Sequence, residues 1–261
     1  MLNWFKLQIG NLLIRYLTVR VRRYEPFSVS SPAMLGAVLR PGDVLLIEGN
    51  QRFSVAIKYL TQSTWSHAAL FVGDIGAVSD SSTEPLTLIE ADLEKGVHAV
   101  PLSCYEGFNT RICRPVGLLA EDLQKVVTFM VESLGLAYDL KNVIDLVRYL
   151  IPTPPVPVRW RRRMLALGSG DPTRAICSTR IAQAFQSVGY PILPYIEKLV
   201  ERRCEECEYT VKEILHIRHH SLFTPRDFDL SPYFMVIKPT MEQRFDYRQL
   251  LWGSDQTSRP S

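Results

Sequence analysis

Residues 65–74 read WSHAALFVGD, and this stretch decides the fold. His67 to Val72 is a short apolar run, opened by an imidazole and closed by the turn pair Gly73-Asp74, the pattern of a buried strand and too short for a helix. Upstream, Pro41-Gly42-Asp43 marks a turn ahead of the apolar run Val44 to Ile47, and Phe53 to Leu60 has helical spacing. Downstream, Leu86 to Ala91, Val97 to Leu102 and Thr110 to Arg114 are further short runs bounded by Gly, Pro or Asp, and Glu94-Lys95-Gly96 reads as a tight turn between two of them. Connections this short favour antiparallel pairing over parallel crossovers, so these runs are expected to form a meander of strands.

From Leu119 the period changes. Leu119, Leu123, Val126, Val127, Met130, Val131 and Leu134 recur at helical spacing until Gly135, and a second helix is expected from Leu140 to Ile151. Pro152, Pro154, Pro155 and Pro157 end it and open an irregular stretch, 152–172, of a length typical of a functional loop or lid. Beyond it, Ile181, Ala184, Phe185 and Val188 keep one apolar face, and Gly189-Tyr190-Pro191 stops the helix, which places Cys177 at its N-terminus. Tyr233 to Ile237 reads as a last strand. The expected class is α+β, an antiparallel sheet or small barrel packed against a helical part. The expected organisation is a basic amphipathic segment over 1–39, a main domain over 40–240 and a polar tail over 241–261.

A chain of 261 residues, 46% hydrophobic and 22% charged, is long enough for a large core and unlike a disordered or multi-spanning chain. Five irregularly spaced cysteines argue against a disulfide framework and for a reducing compartment. The net charge of +3 conceals two basic patches: Lys6, Arg15, Arg20, Arg22 and Arg23 within 1–23, and Arg159, Arg161, Arg162 and Arg163. Without these nine, 21 basic residues face 27 acidic ones, so no general nucleic-acid surface is expected. The first patch is mixed with Trp4, Phe5, Leu12, Leu13 and Tyr16, but its longest uncharged run, Leu7 to Ile14, is far short of the ~20 residues of a spanning helix. It reads as a helix lying on an anionic membrane surface, or alternatively as one packed on its own domain. No cleaved signal is expected, and the expected location is cytoplasmic, peripheral to the inner face of the membrane.

A thiol is nucleophilic as thiolate, and a helix N-terminus favours thiolate while offering free N–H groups to an oxyanion, so Cys177 is the candidate nucleophile. Its alternative is a buried small hydrophobe. His67 is the candidate base, at a strand boundary where a side chain can face a cleft; a strand-end imidazole bonded to a carbonyl is the plain alternative. Glu90, an acid within Leu88-Ile89-Glu90-Ala91, is the candidate to orient it, against an edge-strand glutamate facing water. Cys204 and Cys207 with His216, His219 and His220 have an overly short gap for a zinc finger, so a charged surface helix is preferred and neither metal nor cofactor is expected.

The ordered runs PGDVLLIEG, WSHAALFVGD, LIEADLEKGVHAVPL, LGLAYD, AICSTRIAQAFQSVGY and TPRDFDLSPYFMVI resemble the permuted papain-like hydrolases of the NlpC-type superfamily, especially the YaeF/YiiX-type amidases, over about residues 40 to 238. There the histidine-bearing strand precedes the cysteine-bearing helix. The resemblance implies a circularly permuted papain-like fold, with Cys177 as nucleophile, His67 as base and Glu90 as orienting acid. It further implies Tyr138 and Asp139 along the cleft, Ser178 beside the nucleophile, and cell-wall-type peptides as substrates of an amidase or thiol peptidase. The same fold is similar to lecithin:retinol acyltransferase-like enzymes, which implies a lipid-derived acyl substrate as the alternative. A binding protein on the same fold, without turnover, is the third reading.

Overall fold

The computed structural model describes residues 19, 30–74, 84–92, 95–136, 177–202, 209–216 and 218–242. Six antiparallel strands form one open sheet in the order β4-β3-β2-β1-β5-β8: β1 (Val44–Ile47), β2 (His67–Phe71), β3 (Leu86–Asp92), β4 (Gly96–Pro101), β5 (Thr110–Pro115) and β8 (Phe234–Ile237). β1 to β4 are the expected meander. β5 departs from it by returning to the far side of β1, with Leu45 opposite Ile112, before β8 joins as the outer strand.

A buried ion pair ties β5 to the start of β1. Asp43, 1% exposed, stands just before β1 and takes Arg114 Nε at 2.9 Å and Nη2 at 2.7 Å, a bidentate contact that the planar guanidinium matches well. Arg114 Nη2 also donates to the Val38 carbonyl at 2.8 Å. Gly42, at φ +89° and with Leu123 Cδ1 only 2.3 Å from where a Cβ would sit, makes the sharp turn into β1 that this arrangement needs.

Period-two alternation in the strands feeds two cores, one on each face of the sheet. Val44, Leu46, Ala68, Leu70, Ile89 and Ala91 point into the larger one. There they meet α3 (Ala120–Glu132) through Val126 and Met130, and α4 (Cys177–Ser187) through Ile181, Ala184 and Phe185. Phe185 sits among Tyr190, Phe228 and Phe234, with ring centroids 5.2–6.5 Å away, Phe228 coming from α5 (Pro225–Asp229). Leu45, Ile47, Ala69 and Leu88 point the other way and meet Leu35 of α1 (Pro32–Gly36), with Val38, Leu39, and Leu102 and Tyr105 of a short 3₁₀ turn. Among the described residues the remaining helices are α2 (Arg52–Thr61), as expected from Phe53 to Leu60, and α6 (Pro239–Glu242).

One expectation is overturned. Residues expected to form a charged surface helix around Cys204 and Cys207 instead border a two-stranded antiparallel hairpin, β6 (Tyr195–Arg202) and β7 (Tyr209–His216), with Tyr195 opposite His216 and Arg202 opposite Tyr209. The reason is β-propensity: Tyr209, Thr210, Val211 and Ile214 are strand formers that the surrounding charges obscure. Cys204 and Cys207 themselves lie outside the described residues. So do the expected helix over 140–151, the loop 152–172 with Arg159 to Arg163, residues 1–18 and 243–261. Among the described residues no helix is long and apolar enough to cross a membrane.

Candidate active site

β2 and β3 pair only over Leu70 opposite Ile89 and Phe71 opposite Leu88, and toward His67 the two strands part. His67 opens β2 and Glu90 stands on β3 across that gap, with His67 Nε2 2.5 Å from Glu90 Oε2. The helix α4 packs on the opposite face, against β2 and β3, and brings Cys177, its first residue, to the same gap. The Ala68 N–H donates to Cys177 Sγ at 3.1 Å. The thiol therefore takes up a strand amide next to His67 at the point where the β2–β3 ladder stops. Nε2 is committed to Glu90, which leaves Nδ1 as the ring nitrogen for the thiol.

The electrostatics follow from this packing. Burial disfavours the imidazolium of His67, but the sulfur of Cys177 and the carboxylate of Glu90, each also hydrogen-bonded to the ring, outweigh it and hold His67 well above its ordinary range. Burial likewise opposes the charged form of Glu90, yet His67 and the hydrogen bonds from His67, His98 and Tyr105 drive its carboxyl well below the usual carboxylate range. Such a group is an anion throughout the working pH range and orients an imidazole without taking its proton. Two other described thiols, Cys113 and Cys104, are both pushed upward, chiefly by burial.

Two partners of Glu90 were missed in the sequence. Tyr105, buried in the 3₁₀ turn after β4, donates its hydroxyl to Glu90 Oε2, and the phenol is held well above its ordinary range by burial and by that carboxylate. His98 Nε2 lies 3.3 Å from Glu90 Oε1 because the β3–β4 register sets Glu90 opposite His98. That register was within reach, since a tight turn ending at Gly96 already places the two residues across from each other; nothing local marks Tyr105. Of the remaining expected residues, Ser178 is fully buried and donates its hydroxyl to the Phe223 carbonyl at 2.9 Å. Tyr138 and Asp139 lie outside the described residues.

A cavity of about 300 Å³ has His67, Glu90, His98 and Tyr105 in its wall, with Phe53 and Phe108 among its apolar sides. Cys177 is not part of that lining and is 4% exposed. The His67–Glu90 pair thus has the cavity beside it while the thiol belongs to the larger core.

No protein-family model matches the chain, and no curated protein matches it. Among solved structures it is similar to the metalloprotein yiiX from Escherichia coli O157:H7 (DUF1105), at 16% identity and a TM-score of 0.43, over 82% of this chain and 98% of that one.

Proposed function

We propose that the chain is a cysteine hydrolase that cleaves amides through a thioester acyl-enzyme, with Cys177 as nucleophile, His67 as general acid and base, and Glu90 as the group that orients His67. The observation that carries this reading is the convergence, in one gap of the sheet, of an imidazole bonded at 2.5 Å to a buried carboxylate with a thiol that acts on the same ring. In the first half-reaction the sulfur of Cys177 bonds to the carbonyl carbon and the π electrons move to oxygen, where the positive end of the α4 dipole favours the new charge. As the intermediate collapses the C–N bond breaks, and His67 gives its proton to the leaving amine. In the second, neutral His67 takes a proton from water, the hydroxide oxygen bonds to the thioester carbon, and the C–S bond breaks to release the acid and restore the thiolate.

Cell-wall-type peptides are the substrates this reading favours. The apolar side of the cavity, with Phe53, Phe108 and Val100, favours a second reading in which the acyl group comes from a lipid. In that reading the basic residues within 1–23 and 159–163 hold the protein to an anionic membrane surface, on the cytoplasmic side. The near-complete burial of Cys177 favours a third reading, a binding protein without turnover. Incubation of the protein with dipeptides containing a D-amino acid, and separately with lipid esters, followed by intact-mass measurement, tests all three. A mass increase equal to the acyl group on Cys177, absent in Cys177→Ala, supports the hydrolase, and the substrate that gives it identifies the class. No adduct and no turnover with either set removes the enzymatic readings.

A further inference from the structure

We propose that His98 is a positioning residue: as an imidazolium it holds the second oxygen of Glu90, and so fixes the carboxylate that orients His67. This role rests on the hydrolase reading for its effect on turnover, while the contact itself stands on the geometry of β3 and β4. Glu90 and His98 are cross-strand partners, so their side chains leave the same face of the sheet. His98 Nε2 lies 3.3 Å from Glu90 Oε1, whereas His67 Nε2 is 2.5 Å from Oε2. Tyr105 gives its hydroxyl to Oε2 as well. His67 and Tyr105 thus share one oxygen of the carboxylate, and His98 stands at the other.

The other ring nitrogen of His98 decides what this contact requires. Nδ1 lies 3.0 Å from the carbonyl of Gly96 on the same strand, and a carbonyl can only accept, so Nδ1 carries a hydrogen. In the neutral ring Nε2 is then a bare lone pair facing the lone pairs of an ionised carboxylate. Both contacts are made at once only when both nitrogens are protonated. The surroundings favour that charge. Glu90 and, at 3.7 Å, Asp92 Oδ2 face the ring from β3; Lys95 of the turn, Cys104 and Tyr105 of the 3₁₀ turn and His67 of β2 line the same cavity. The hydrogen bond with Glu90 outweighs the partial burial that opposes the charge, and with the Gly96 carbonyl and the two carboxylates it holds His98 above its ordinary range. The hold from Tyr105 is of another kind, because its phenol keeps its proton well past its ordinary range.

Glu90 is thereby a carboxylate between two imidazoles. With His98 charged, both oxygens are held and the plane of the carboxylate is fixed. Once His98 is neutral, Nε2 and Oε1 repel, and Oε2 alone sets the direction in which His67 points. A small misdirection of a base costs turnover steeply, because proton transfer needs the reacting atoms in line. Turnover therefore loses the contribution of His98 as pH rises through its raised value, while the contribution of Tyr105 stays constant.

The test uses the full-length protein in two ways. Histidine NMR over about pH 5 to 9 follows His98, identified by its absence in His98→Ala, in wild type and in Glu90→Gln. The expected result is an inflection above 6.5 in wild type that drops toward or below 6.5 in Glu90→Gln. Turnover of the substrate that acylates Cys177 is then measured over the same range, with circular dichroism to check each fold. Below the inflection the kcat of wild type should exceed that of His98→Ala by about tenfold, and above it the two should converge. His98→Gln sets an uncharged amide N–H near the place of Nε2, so it should restore most of the low-pH rate and show no such fall. Tyr105→Phe should lower kcat by a factor that does not change with pH. The proposal is overturned by a wild-type to His98→Ala ratio that is the same at every pH, by His98→Gln no better than His98→Ala, or by an inflection that Glu90→Gln leaves in place. Absence of turnover in wild type strikes the hydrolase reading, and the NMR result still decides whether Glu90 and His98 are joined.

Discussion

Exchanging Glu90 for glutamine keeps the shape of the side chain but sets an amide donor where His67, His98 and Tyr105 present their own donors. Glu90→Gln should therefore lower turnover by roughly 10³-fold yet leave it measurable, whereas Cys177→Ala abolishes it and His67→Ala costs nearly as much. Steady-state assays of the three variants on one peptide or ester substrate check this ranking, and wild-type turnover by His67→Ala would remove the triad. The same pair makes stability depend on pH in a defined direction. A raised His67 contributes stability that is complete below its ordinary value of 6.5 and is lost as pH rises through the raised value. A lowered Glu90 contributes stability above its ordinary value of 4.5 that is lost as pH falls through the lowered one. The stability difference between wild type and Glu90→Gln in urea unfolding should thus be largest between pH 4.5 and 6.5 and shrink on both sides.

At the scale of elements, Asp43 and Arg114 tie the start of β1 to β5, at 1% and 11% side-chain exposure. Asp43→Ala leaves the guanidinium buried without its carboxylate and should cost about 3–5 kcal/mol, read from the urea midpoint at unchanged slope. The individual strands were legible in the sequence because each apolar run ends at a Gly, Pro or Asp. Their neighbours were not: β5 pairs with β1 and not with β4 through a contact 71 residues apart, which no local pattern encodes. Glu90 and His67 were legible for the opposite reason, each being a polar anomaly at the border or inside of an apolar run. Tyr105 looks like an ordinary core aromatic, and its hydroxyl acquires a role only when the 3₁₀ turn brings it onto Glu90. The hairpin β6–β7 was hidden by its charges, which set exposure and say little about backbone conformation.

For the whole molecule, the two cores explain why a chain with sheet residues first and helices later closes around one gap: α4 covers one face of β2 and β3, while the 3₁₀ turn with Tyr105 covers the other. The smaller core includes Leu35, Val38 and Leu39, so a chain shortened to test membrane binding has to keep them. The full-length chain should float with anionic liposomes, and a protein beginning at Ser30 should stay folded and lose that flotation. Equal flotation of both removes the membrane role of residues 1–23.

The proposed hydrolysis rests on the pairing of Cys177 with the His67 beside it. Brief, limiting iodoacetamide at pH 6, followed by peptide mapping, measures this directly. Ordinary thiols, near pKa ~8.5, hardly react there, and Cys104 and Cys113 are shifted further up. Selective labelling of Cys177 that falls sharply in His67→Ala is the predicted result; labelling of Cys177 no faster than the other thiols, or unchanged without His67, contradicts the account.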